Sequence, residues 1–144
     1  MTRPMPPGGA SAPLEMRTPA GTVIELLPIA HEICRRYHEE FADEHERYGP
    51  AGQAWCLHDN QYLLAWAIQN ERDGTVDLIE QTLWLADVLA SRNFPLERLV
   101  RNLEIAADVA GATIVADHLG RAVSLRLKAA AIAVRSTLTQ TGST

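Results

Sequence analysis

Between Ala51 and Asn70 the sequence places apolar residues around the whole circumference of a helix, with Trp55, Cys56, Leu57, Leu63, Leu64, Trp66 and Ile68 among them. A helix that is apolar on every side is stable in water only when other elements surround it. This segment therefore sets the architecture: a central spine with further helices laid around it. It carries one polar interruption, His58-Asp59-Asn60-Gln61, in which His58 and Gln61 share an arc with Ala54, Ala65 and Ile68. Polar groups placed there need partners, because an unsatisfied buried donor or acceptor costs about 1–3 kcal/mol.

Helical periodicity also governs the segments on either side. A first helix is expected from about Val23 to Tyr48, stopped by Gly49-Pro50, with Pro28 marking a later start. The second follows to Asn70. Asp73-Gly74 makes a turn, Thr75 is a fitting N-cap, and the third helix runs to about Ser91. Pro95 opens a fourth that ends at Gly111, and a fifth covers about Val115 to Thr137. Strand-like alternation is confined to Ala112–Ala116. A chain of 144 residues is one domain in length. The expectation is all-α: an antiparallel bundle of about five helices over residues 22–137. A disordered Pro/Gly-rich tail is expected over residues 1–21, and a polar tail over residues 138–144.

With 47% hydrophobic residues the chain can fill a core, and a net charge of -5 suits a phosphate backbone poorly, so no nucleic-acid partner is expected. The first 21 residues hold no apolar h-region, and no run approaches the ~18 apolar residues of a membrane span. A cytoplasmic protein with no transmembrane segment is expected. Cys34 and Cys56 both fall in helical patterns and read as reduced core thiols, with a disulfide between them left open.

Two helix faces carry charge at heptad spacing. His31, His38 and His45 recur every seven residues, with Glu32, Glu39 and Glu46 beside them. Residues seven apart lie about 10.5 Å apart along a helix. A metal ion held by two helical histidines needs them four apart, and no His-x-x-x-His or Glu-x-x-His occurs, so no metal ligand is expected. The histidines read instead as a flank that meets a neighbouring helix or a second subunit. On the fifth helix, Arg121, Lys128 and Arg135 oppose the apolar arc of Leu119, Val123, Leu127, Ala130 and Val134. Arg126 lies near that arc and is expected to be buried against a carboxylate, with Glu80, Asp87, Glu104 and Asp108 as candidates.

Catalytic motifs are absent: the chain has no glycine-rich phosphate loop, Cys-x-x-Cys, His-Glu-x-x-His or nucleophile elbow. His58 and Asp59 are adjacent, so they leave the helix about 100° apart and are not expected to form a dyad; enzyme activity is not expected. Val76 to Val109, with Phe94-Pro95 opening a helix, is similar to globin-like sensor domains of bacterial stress regulators. Trp84 and its surrounding helices resemble the helical cap that covers cobalamin. These resemblances imply haem or cobalamin. The sequence departs from both, since no histidine lies between His58 and His118, and Asp117-His118-Leu119-Gly120 lacks the cobalamin Asp-x-His-x-x-Gly spacing.

The functional expectation is a non-enzymatic regulatory or protein-interaction module. It would be a homodimer, another homo-oligomer or the complex of a partner protein, docking through His31, His38 and His45 or through Arg121, Lys128 and Arg135. The alternative is a sensor for a small ligand or cofactor (haem, cobalamin or metal). Its pocket would be lined by Trp55, His58, Gln61, Tyr62, Trp66 and Trp84.

Overall fold

The computed structural model describes residues 12–115 and 118–142. Five helices carry the fold: α1 (Leu26–Glu40), α2 (Glu44–Arg72), α3 (Leu78–Ser91), α4 (Leu96–Thr113) and α5 (Leu119–Gly142). A short antiparallel hairpin, β1 (Glu15–Arg17) and β2 (Val23–Glu25), precedes them. The chain is an all-α helical bundle, as its periodicity requires.

The spine is α2. Its second half buries Asn60, Gln61, Leu63, Leu64, Ala65, Ala67 and Ile68, which point in nearly all directions. Helix α1 packs on it and on α4, burying Ile29, Ala30, Ile33 and Cys34, while α4 and α5 form a hairpin packed along much of their length. The expected apolar arc of α5 is buried: Val123, Leu127, Ala130 and Val134 have no exposed surface.

Four boundaries differ from the sequence expectation. Residues 12–21 are ordered and contain β1. Thr18 makes the turn, its carbonyl accepting from Gly21 N at 2.9 Å and its hydroxyl from Thr22 N at 3.1 Å. Strands of three residues are too short for alternation to show. Residues 1–11 of the expected tail lie outside the described residues. The first helix ends at Glu40 rather than Tyr48, because Phe41 leaves the helical region (φ -115, ψ 72). Gly49 does break the helical run in front of Pro50, as expected: it takes φ 63 and ψ -159, and α2 is two helical pieces joined at that kink. The cap of α3 is Asp77, whose carboxylate accepts from Glu80 N, rather than Thr75. Last, α5 continues through residues 138–142 where a polar tail is expected.

Two side chains of the spine tie down the hairpin: Arg72 Nη1 donates to the Arg17 carbonyl at 3.3 Å, and Gln61 holds the segment that leads into β1. Gln61 Nε2 donates to the Pro13 carbonyl at 3.0 Å, and Leu26 N donates to Leu14 O at 2.9 Å just beyond. Replacing Gln61 with alanine is expected to cost about 1 kcal/mol. The loss should be local: the Leu26 and Thr18 amides should exchange hydrogen faster, while amides of α4 keep their protection. Uniform exchange throughout would show that Gln61 does not hold the hairpin.

Candidate functional site

The break between α1 and α2 turns Glu44 back under Tyr37. Glu44 is 6% exposed, and its carboxylate accepts from the Tyr37 hydroxyl at 2.7 Å and from Arg98 Nη1 at 2.8 Å. Burial, and then the Glu44 carboxylate, push the Tyr37 phenol well above its ordinary range, so it stays protonated as a donor. The other arm of Arg98 reaches Asp43 at 2.9 Å and holds that carboxyl below the usual carboxylate range. The guanidinium also lies 4.6 Å from the centre of the Phe41 ring. One cation from α4 thus gathers the end of α1 and the start of α2.

Next to this cluster, Asn60 of α2 and Asn102 of α4 exchange two hydrogen bonds, at 3.0 and 2.9 Å. They are 1% and 7% exposed. Asn60 Nδ2 also donates to Cys56 O at 3.0 Å and lies 3.6 Å from the sulphurs of both Cys34 and Cys56. The polar interruption in the spine is therefore satisfied from three directions.

Apolar side chains line the space beside these groups. At the end of α3, Asn93 takes the left-handed conformation (φ 62). Phe94 N reaches Leu89 O and Asn93 N reaches Ala90 O, both at 3.0 Å, the paired bonds of a Schellman cap. That cap folds Phe94 back toward Leu89 and places its ring 5.7 Å from Tyr48. Together with Leu63, Leu85 and Leu99 they enclose a cleft of about 90 Å³, open at one side, with Glu44, Asp59, Asn60 and Arg98 among its lining.

Of the residues expected to line a pocket, only Trp55 faces this cleft. His58, Tyr62 and Trp66 continue from Trp55 as a ladder of rings along a half-buried face of α2, with centroids 4.8, 5.0 and 5.6 Å apart. Gln61 is engaged with Pro13, and Trp84 is 58% exposed on α3. The expectation that His58 and Asp59 stay apart is corrected. Their side chains swing together, and His58 Nδ1 lies 3.3 Å from Asp59 Oδ1.

His31, His38 and His45 line a different feature, an open groove of about 750 Å³ along α1 and the first half of α2. His38 Nδ1 is 2.7 Å from Cys34 O. Among the described residues, no group of three or more histidine, cysteine or acidic side chains is placed to hold a metal ion. Arg121, Lys128 and Arg135 are exposed on α5, and Arg135 donates to Glu104 at 3.2 Å. Arg126 does meet a carboxylate of another helix, but at the surface: it is 49% exposed and pairs with Glu71 of α2.

Asn102, Glu44, Arg98, Tyr37 and the cleft leucines carry the site without having been singled out by the sequence. Asn60 stood in the polar interruption, the one usable signal. Among the described residues no helix is long and apolar enough to cross a membrane. No protein-family model, curated protein or solved structure matches the chain.

Proposed function

We propose that this chain is a non-catalytic ligand-sensing domain, and that the cleft between α2, α3 and α4 takes a small, chiefly apolar molecule bearing one polar group. The observation that carries this reading is the cleft's mixed lining. Leucines and aromatic rings line it together with a fixed cluster of hydrogen-bonding side chains. Ligand sites are commonly built this way, with apolar walls for affinity and a few placed polar groups for orientation. The Glu44–Arg98–Asp43 and Asn60–Asn102 bonds hold that cluster still, which suits binding without rearrangement. Pockets for drug-sized ligands run to roughly 300–1,000 Å³. A cleft of about 90 Å³ suits a single ring or short chain rather than haem or cobalamin.

Phenol is a fitting probe, with one ring and one hydroxyl. At ten times its dissociation constant it should raise the thermal midpoint by roughly 3–6 °C through linkage. Leu89→Phe, which fills the cleft, should remove that rise while keeping the helical circular dichroism spectrum. An equal rise in the filled variant would place binding elsewhere.

A second reading, a regulatory interaction module working as a homodimer or with a partner protein, is favoured by a separate observation. Leu125 and Ile132 are 56% and 66% exposed on the α5 face that also carries Arg121, Lys128 and Arg135. Sedimentation that returns a monomer at high concentration would remove the homodimer. Two reduced thiols support a cytoplasmic setting for either role.

A further inference from the structure

We propose that Cys34 and Cys56 form a dithiol modification site, which a small hydroperoxide converts to an intramolecular disulfide and a thiol reductant restores. The two residues come from different helices, α1 and α2, yet both sulphurs lie 3.6 Å from one atom, Asn60 Nδ2. Asn60 is fixed in turn by Asn102, so the sulphurs meet in a prepared setting rather than by chance rotation. Cys56 lines the cleft and Cys34 lines the histidine groove, so the pair sits in the wall between two openings.

Charge selects the product. Cys34, burial, and the Asp59 and Glu44 carboxylates push the Cys56 thiol up. A lasting thiolate is disfavoured there, and so is a monovalent soft metal ion held by two thiolates, which brings net negative charge into the same place. A disulfide carries no charge. In the first step the Cys56 sulphur, as its transient thiolate, attacks one peroxide oxygen and the O–O bond breaks. The leaving alkoxide, or hydroxide from hydrogen peroxide, takes up the proton the thiol lost. Cys56 is now a sulfenic acid. The Cys34 sulphur attacks it, the S–O bond breaks, and hydroxide leaves as water with the Cys34 proton. The pair loses two electrons and the peroxide gains two. Because the thiolate is scarce, the pair should respond slowly at neutral pH and faster as pH rises.

The test uses the full chain, hydrogen peroxide and intact mass spectrometry after alkylation. The expected product has lost two hydrogens, takes up no alkylating agent and regains both thiols with dithiothreitol. Its rate of formation should rise about tenfold per pH unit from pH 6.5 to 8.5. Cys34→Ser and Cys56→Ser should each form no such species while keeping the parent circular dichroism spectrum. Covalent dimers as the main product, oxygen added separately at the two sulphurs, or two alkylated thiols after oxidation would each overturn the proposal. It does not rest on the sensing function: a chain that ignores phenol but closes this disulfide separates the two.

Discussion

Replacing Gly120 with alanine is expected to be the most damaging small change in the chain, costing about 3 kcal/mol or more. The turn from α4 into α5 passes the new Cβ within 1.9 Å of the Ile114 carbonyl oxygen and 3.0 Å of its carbon. Both obstacles are backbone, so no side chain can swing away. Ile114 is itself held by the hydrogen bond its amide donates to Ala110 O at 2.9 Å, the last one closing α4. Relief requires the two helices to separate where they begin their shared packing. Gly74 provides the contrast. It has φ +69 but nothing within 4 Å of its would-be Cβ, so Gly74→Ala should cost only about 1 kcal/mol of left-handed strain. Urea midpoints of the two variants should differ accordingly. Equal, small losses would mean that the α4–α5 approach is looser than the structure places it.

The second large effect is expected at Arg98. Arg98→Leu keeps the aliphatic stem but leaves the Glu44 carboxylate buried with the Tyr37 hydroxyl as its remaining partner in this cluster. Removing one member of a buried ion pair typically costs about 3–5 kcal/mol. The lower end fits here, because the Arg98 side chain is 16% exposed. The double variant Arg98→Leu, Glu44→Leu should recover part of the loss, since the carboxylate it leaves without Arg98, Asp43, is 46% exposed rather than buried. A double-mutant cycle therefore should show coupling of more than about 1 kcal/mol. Strict additivity would mean that the pair is not a unit. The loss should also exceed that of Arg126→Leu at the surface Arg126–Glu71 pair, since exposed pairs are worth about 0–1 kcal/mol.

What the sequence revealed depended on whether a feature is local. The spine declared itself because its apolar residues are continuous from Tyr62 to Ile68. The buried arc of α5 did so because Val123, Leu127, Ala130 and Val134 repeat at helical spacing. The break at Phe41 was invisible, because the histidine heptad runs through it to His45 and the long-range contacts of Arg98 with Asp43 and Glu44 reward leaving the helix. The site was harder still. Asn60 and Asn102 stand 42 residues apart, and nothing in a single sequence pairs them. Tryptophan and histidine drew attention by their chemistry, but ring size does not tell which side of a helix faces a cavity. Trp55 faces the cleft and Trp84 faces solvent.

The central claim is that the cleft between α2, α3 and α4 is a binding site. Carbon-13 methyl spectra of the full chain titrated with phenol test it most directly. Saturable shifts at Leu63, Leu85, Leu89 and Leu99, with the exposed Ile132 methyls unmoved, are the result expected. Shifts confined to Leu125 and Ile132, or no saturable shift at the four cleft leucines, would contradict it.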